Sequence, residues 1–303
     1  MINFYKYTHL ITGLATFSIA SSLMAVDNLS KPDQLLAEAI YHKSSDIRAA
    51  LAAGANPNAI ISQDGGTALH VATWLRDTDK VQALLENPNT NPNILNKFDT
   101  SPLSMATYHA TPNVIRALLA DPRVEDPEIA PSDKYRQSAF GIVITFDRTG
   151  DNLRAFLEST KINPNGTVDT YSTKPVECAI DYINPTALRI LLQDPRTNYS
   201  VDQAIKYASK YDWTDDARRT AVFNVLLKFK DRDGQTGWQK FIQNQTNLSD
   251  AERAVLAKNG LPTRPAQLAL VHKLCQKKQL SPRILDVAKS EAPVWARIMS
   301  KVY

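Results

Sequence analysis

The chain repeats itself at a nearly constant interval, and this self-similarity restricts the fold more than any other feature of the sequence. A Leu that ends an apolar helical segment recurs at Leu51, Leu85, Leu119, Leu157, Leu192 and Leu227, after 34, 34, 38, 35 and 35 residues. A unit of this length cannot bury its apolar face alone, so neighbouring units must stack. The sequence therefore predicts a repeat protein.

The clearest unit begins with Gly-Thr-Ala-Leu-His-Val-Ala at residues 66–72 and continues through Val81-Gln82-Ala83-Leu84-Leu85 to Asn-Pro-Asn at residues 91–93. The layout returns from Thr100, and more weakly from Ser138 and Lys174. Residues 35–58 form a first unit that ends in Gly-Ala-Asn-Pro-Asn. These segments resemble ankyrin repeats, whose motif is T-P-L-H-x-A.

The resemblance implies an all-α ankyrin-repeat solenoid of about five to six helix-pair repeats with short loops. It covers residues 32–230. Members of this family are interaction modules, so we expect a non-enzymatic protein that binds a partner protein or peptide in the concave groove of the solenoid. The fold by itself names no partner.

Three features of the repeats predict local structure. His70 occupies the His position of the motif, where it is expected to tie the loop to the helix start. Asp-Pro-Arg at residues 121–123 and 194–196 follows a second helix, where Pro predicts a stop. Residues 201–211 and 221–229 predict one more helix pair without the T-P-L-H turn, as in a terminal capping repeat.

The two ends of the chain differ from the repeats. Residues 1–25 place an apolar, uncharged run after Lys6, which predicts a signal peptide and a secreted or periplasmic protein, with export to a host also open. An uncleaved membrane anchor is the alternative. Residues 231–303 predict a helical C-terminal tail, either a cap docked on the last repeat or a separate subdomain, because Ser249-Asp250-Ala251-Glu252 is a capping box.

Charge and motifs argue against several functional classes. The net charge is +4, and it falls to +3 without residues 1–25, so neither nucleic-acid nor stable membrane binding is expected. No motif for a metal, phosphate or other cofactor is present, and we expect none. Cys178 and Cys275 lie in apolar helical runs and are interpreted as core residues. We expect a monomer, because the polar ends of a solenoid need no partner.

Aromatic residues recur at two positions of the repeat and are the strongest indication of function. Four residues before the Pro position of the motif, at the loop tip, stand Asp64, Phe98, Tyr135 and Tyr171. Six or seven residues after it, near the end of the first helix, stand Trp74, Tyr108, Phe146 and Tyr182, with Tyr41 equivalent in the first unit.

The recurrence supports two interpretations. Tyr and Trp combine an apolar body with a polar tip and dominate interface hot spots, so the rings can line a groove for a partner segment. Lys97, Lys134 and Arg136 nearby would favour a partner with some negative charge. The rings can instead stack along the solenoid and seal the loops against the helices.

An enzyme or enzyme adaptor is the alternative from another class. The repeats would then recruit a target and the tail would act on it. The residues available for chemistry in the tail are Asp231, Asp233, His272 and Cys275, but they show no catalytic spacing.

Overall fold

The computed structural model describes residues 29–42, 46–108, 111–125, 137–208, 217–230 and 234–243. Over this part, the chain consists of helices, turns and two isolated β-bridges. Its contacts divide it into two compact units, one of residues 1–142 with 158–162 and one of residues 143–157 with 163–303. The predicted signal peptide at residues 1–25 lies outside the described residues, as do residues 244–303 of the predicted tail.

The helices alternate between a first and a second helix of each repeat. The first helices are α1 (Lys31–Tyr41), α3 (Ala68–Trp74), α5 (Pro102–Tyr108), α7 (Ala139–Phe146), α9 (Pro175–Asp181) and α11 (Val201–Ala208). The second helices are α2 (Ile47–Ala52), α4 (Thr78–Leu85), α6 (Pro112–Ala120), α8 (Asp151–Glu158), α10 (Pro185–Gln193) and α12 (Ala217–Lys228). They define repeats 1 to 6, and α13 (Gly237–Gln243) follows.

The first helices begin at a recurring hydroxyl or polar residue. In repeat 2, the Thr67 amide donates to Nδ1 of His70 at 3.2 Å, and the Thr67 hydroxyl lies 3.0 Å from the same nitrogen. At α11 the pair is reciprocal, because the Ser200 amide donates to Gln203 Oε1 at 2.8 Å and the Gln203 amide donates to Ser200 Oγ at 3.2 Å. These bonds satisfy amide donors that a helix start leaves unpaired, which is why α3 and α11 begin at these residues.

Repeat geometry continues beyond the sixth helix pair. Lys230 and Thr236 form an antiparallel bridge, and Thr236 makes a capping box with Gln239 at the start of α13. Gly234, with φ +74°, lies three residues before the start of α13. Gly65, with φ +79°, lies the same number of residues before the start of α3. Helix α13 packs on α11 and α12. The division predicted at residue 231 stays a prediction, but the hairpin and helix after it have the register of a repeat.

Apolar side chains on the facing sides of the helices form the core of each unit. Ala72 and Ala106 in the first unit, and Ala179 in the second, are fully buried. Their small side chains let neighbouring first helices approach closely. Leu84 and Leu118 of the second helices are also fully buried. Stability therefore arises from packing within each helix pair together with the interfaces between repeats.

Arg123 joins repeat 3 to repeat 2 through the backbone. Its guanidinium donates to the carbonyls of Asn87, Pro88 and Thr90 at 2.8, 3.0 and 3.0 Å, and also to the Leu85 carbonyl. Asp121 holds the guanidinium with both carboxylate oxygens, and the hydrogen bond from Arg123 holds the pKa of Asp121 below its usual value. The Asp-Pro-Arg segment thus both ends α6 and caps the end of α4.

The same tie recurs with other residues. Lys161 of repeat 4 donates to the carbonyls of Asp121 and Val124, within the first unit. Arg196 of repeat 5, held by Asp194, donates to the Leu157 carbonyl at 2.5 Å, within the second unit. A cation of one repeat therefore satisfies the carbonyl end of the preceding second helix.

The second Asn of each Asn-Pro-Asn segment makes a further tie between repeats. Asn58 donates to the Asn89 carbonyl at 2.8 Å and accepts from the Asn91 amide at 2.7 Å. Asn93 pairs with Arg123 and Glu125 in the same way, and Asn165 with Arg196 and Asn198. One side-chain amide thus both donates and accepts a hydrogen bond between neighbouring loops, as the backbone would in a β-bridge.

Replacing Arg123 with Met should lower the free energy of unfolding by about 2 kcal/mol, because several part-buried carbonyls lose a charged donor. The control is Arg116→Met. Arg116 also binds a carboxylate, that of Glu158, but these two side chains are 43% and 54% exposed, against 31% and 8% for Arg123 and Asp121. The control should lose less than about 1 kcal/mol. Urea denaturation measures both, and equal losses would show that Arg123 acts only as a surface ion pair.

Candidate functional site

Three aromatic side chains lie at equivalent helix ends of the first unit. Tyr41, Trp74 and Tyr108 are the last residues of α1, α3 and α5. Each is half-buried, so each ring packs on its neighbours and also presents part of its surface to solvent. The Tyr41 hydroxyl lies 3.5 Å from the Ile61 carbonyl in the hairpin of repeat 2, residues 60–67, whose ends form a β-bridge. Tyr41 therefore joins α1 to the hairpin of repeat 2, and the exposed parts of all three rings face solvent. The hairpin of repeat 3 is residues 96–100, which the hydrogen bond from the Asn96 amide to the Thr100 carbonyl closes at 3.1 Å.

A small apolar depression opens at these rings. We call it the aromatic cup; its lining residues are Tyr41, Ser62, Asp64, His70, Val71, Trp74 and Met105. They come from α1, α3 and α5 and from the hairpin of repeat 2, so the cup forms only when three repeats stack. Its surface is mostly hydrocarbon and its volume is about 30 Å³, so it can accept little more than a methyl group of a partner side chain.

Asp64 provides the polar edge of the aromatic cup. Its carboxylate accepts hydrogen bonds from the Ser62 hydroxyl, from the Gly66 amide at 3.3 Å and from the Asn96 side chain at 3.3 Å. These donors come from two successive hairpins and fix the carboxylate in place. Lys97 pairs with the same hairpin, because its amide donates to the Asp64 carbonyl at 2.8 Å.

His70 is a structural residue, as the motif predicts. Its Nδ1 accepts from the Thr67 amide at 3.2 Å, which leaves the proton on Nε2, 3.0 Å from the Thr100 carbonyl of the next repeat. Burial lowers the pKa of His70, so the neutral ring is favoured. The imidazole therefore ties the start of α3 to the hairpin of repeat 3.

The loop-tip aromatic residues project from loops with defined hydrogen bonds. Phe98 is 60% exposed, and Asn96 accepts from the amides of Phe98 and Thr100 at 2.9 and 3.1 Å. Tyr171 of the second unit is 71% exposed, and Asp169 accepts from its amide at 2.9 Å. The side chains of Asn96 and Asp169 hold these loops through backbone amides, so the rings are presented at little entropic cost.

The second unit has its own row of half-buried aromatic residues. Phe146 ends α7 and Tyr182 caps α9, as the count along the repeats predicts. The structure adds Tyr207 on α11, whose hydroxyl donates to the Asp181 carboxylate at 2.8 Å. The sequence count missed Tyr207 because repeat 6 lacks the T-P-L-H turn. The capping box of Ser200 would have given the register.

Several residues considered in the sequence analysis lie outside the part of the chain that the structure describes. Tyr135, Lys134 and Arg136 lie outside the described residues, as do the four tail residues considered for chemistry. Within the described part of the chain, no group of three His, Cys, Asp or Glu side chains could hold a metal ion. Among the helices described, none has the length and apolarity needed to cross a membrane.

Cys178 is a core residue, as predicted. Its side chain is fully buried on α9, and its Sγ lies 3.6 Å from the Thr145 hydroxyl. Burial raises the pKa of the Cys178 thiol to about 12. The thiol is therefore protonated at neutral pH and is not a nucleophile.

Ankyrin repeat domains are among the solved structures that are similar to this chain. The ankyrin repeat domain of Bcl-3, described as a unique member of the IkappaB protein family, matches with a TM-score of 0.50 and 16% identity over 70% of this chain and 93% of that chain. The human ASB11 ankyrin repeat domain matches with a TM-score of 0.43 and 17% identity over 78% and 100% of the two chains. No protein-family model and no curated protein matches the chain. The helix pairs and the first of these likenesses confirm the predicted all-α ankyrin-repeat solenoid.

The thiol of Cys178 should resist alkylation in the native protein. With Cys275 replaced by Ser, iodoacetamide at pH 8 should leave Cys178 unlabelled in buffer and label it in urea, because only the thiolate reacts and its pKa of about 12 lies far above this pH. Labelling in buffer should increase only as the pH approaches that pKa. Intact-mass spectrometry over time measures both. Rapid native labelling at pH 8 would contradict the burial of this side chain.

Proposed function

We propose that this chain is a non-enzymatic protein-interaction module that binds an extended segment of a partner protein. The tip of one apolar side chain of that segment enters the aromatic cup, and the neighbouring residues lie against Phe98. The observation that carries the proposal is the juxtaposition of an apolar cup and an exposed ring on two hairpins that are bonded to each other.

The contacts between the hairpins support one continuous surface. Asp64 lines the aromatic cup, and its carbonyl accepts from the Lys97 amide, one residue before Phe98. Lys97 also donates through Nζ to the Gln63 carbonyl at 2.8 Å. The ammonium group therefore lies along the edge of the hairpins, where it favours a partner with negative charge near the Phe98 ring.

Burial distinguishes the two groups of aromatic residues. Trp74 and Tyr108 are half-buried, so they both stabilise the repeats and contribute an apolar surface. Phe98 and Tyr171 are mostly exposed, and stacking within the chain leaves most of their area in water. Large exposed aromatic residues on ordered loops are typical of binding surfaces. In the second unit, the corresponding proposed surface consists of Tyr171, Phe146 and Tyr182.

The test uses the full mature chain as bait in its native compartment. Wild type is compared with the double variant Phe98→Ala and Tyr171→Ala, and with the control Leu35→Ala, whose side chain is also exposed, at 47%. Wild type and the control should capture one or more partners, and the double variant should not capture them. With the purified partner, calorimetry should show a loss of about 2 kcal/mol or more for each aromatic residue that is a hot spot.

Stability measurements separate binding from structure. Both aromatic substitutions should change the free energy of unfolding by less than about 0.5 kcal/mol, because the rings are exposed. A much larger loss would support structural stacking. Capture of the same partners by wild type and by the double variant would reject this surface as the binding site.

We further propose that residues 1–25 direct export and are then removed, which makes the compartment of the partner secreted or periplasmic. The support is the apolar run after Lys6, which ends at the small residue Ala25. The chain expressed with its own N-terminus should be recovered from the exported fraction, and intact-mass spectrometry should show it beginning near Val26. Recovery with Met1 retained would support the membrane-anchor alternative.

A further inference from the structure

A second recess lies in the second unit, between the second helices of repeats 5 and 6. It is an open groove of about 730 Å³, and we call it the basic groove. Its walls are residues of α10 and α12, and its end is formed by the segments after them. The lining residues are Arg189, Leu192, Gln193, Asp194, Pro195, Ala221, Asn224, Val225, Lys228, Phe229 and Lys230. None of these belongs to the aromatic rows.

The groove has an apolar floor. Leu192 of α10 and Val225 of α12 are both buried at 9% exposure, and Ala221 lies one helical turn before Val225. Phe229 is half-buried at the end of the groove. The floor therefore offers apolar contact to a side chain that enters from solvent.

The edges of the groove are positively charged. Arg189, Lys228 and Lys230 are exposed, and no ion pair joins any of them to another residue of the described chain. Asp194 is the one carboxylate in the lining, and its two oxygens bind Arg196 at 3.0 and 2.8 Å. Its charge is thus neutralised, and the positive charge of the three edge residues remains for a ligand.

Charge also indicates which occupant fits. Residues 244–303 of this chain contain ten Lys and Arg but four Asp and Glu, so the C-terminal segment has the same sign as the groove. Like charges disfavour its docking there. An occupant must supply carboxylates for the edges and apolar side chains for the floor. That chemistry belongs to an acidic, amphipathic peptide segment.

We propose that the basic groove is a second binding site, which takes an acidic amphipathic segment of a partner protein. Carboxylates of the segment pair with Arg189, Lys228 and Lys230, while its apolar side chains cover Leu192 and Val225. The volume of the groove is sufficient for several side chains. This site is independent of the aromatic cup and of the function proposed for it.

The probe is a fluorescein-labelled peptide of repeated Glu-Leu-Leu-Asp units, measured by fluorescence polarisation with the full mature chain at low salt. The variant Arg189→Glu with Lys228→Glu should weaken the Kd about tenfold or more. The control Lys31→Glu with Lys206→Glu makes the same change of charge at exposed positions outside the groove, and should retain binding. Binding should also weaken as salt is raised.

Two further peptides test the chemistry. Repeated Lys-Leu-Leu-Lys should not compete, and repeated Glu-Ser-Ser-Asp should compete at least about tenfold more weakly, because it lacks the apolar contact.

Equal binding by wild type and the groove variant would overturn the proposal. Self-association would also overturn it: if sedimentation velocity shows that the wild-type chain self-associates and the groove variant is monomeric, the occupant of the groove is a second copy. Loss of binding only in the Phe98 and Tyr171 variant would assign the peptide to the aromatic surface instead.

Discussion

The carbonyl groups at the ends of the second helices α4, α6 and α8 depend on the next repeat for their hydrogen bonds. Arg123 satisfies the end of α4, and Arg196 satisfies that of α8. A helix leaves these carbonyls unpaired, and a buried carbonyl without a donor costs free energy. A single repeat therefore lacks both its apolar cover and its polar partners. Stacking supplies the two together, which explains why stability is distributed between neighbouring repeats.

The same ties prepare the candidate binding surface. His70 reaches the Thr100 carbonyl, and the Lys97 amide reaches the Asp64 carbonyl, so neighbouring hairpins are fixed to one another before any partner binds. A partner that meets Phe98 and the aromatic cup orders few protein groups on binding, which reduces the entropic cost. In the proposed surface, structural and binding roles thus share residues. The half-buried Trp74 supports the repeats and lines the cup at once.

Sequence reasoning succeeded where one repeat contains the whole signal. The helix starts, the position of His70 and the buried Cys178 follow from local spacing and apolar periodicity. It interpreted Asp-Pro-Arg only as a stop, because the carbonyls that Arg123 binds lie more than 30 residues earlier in the chain. Counting residues from the T-P-L-H turn missed Tyr207, because repeat 6 lacks that turn. The basic groove has no local signal at all, since α10 and α12 each provide one wall.

Local spacing is sufficient to predict the repeat, the helix pairs and the recurrence of aromatic residues, because these depend on periodic burial and on residues within about one turn or loop of each other. Contacts between repeats establish which polar side chains join them, how deeply each ring is buried, and where recesses open. Those properties arise when segments that are distant in sequence come into contact. Their hydrogen bonds and exposure therefore belong to pairs of repeats, and no single repeat encodes them.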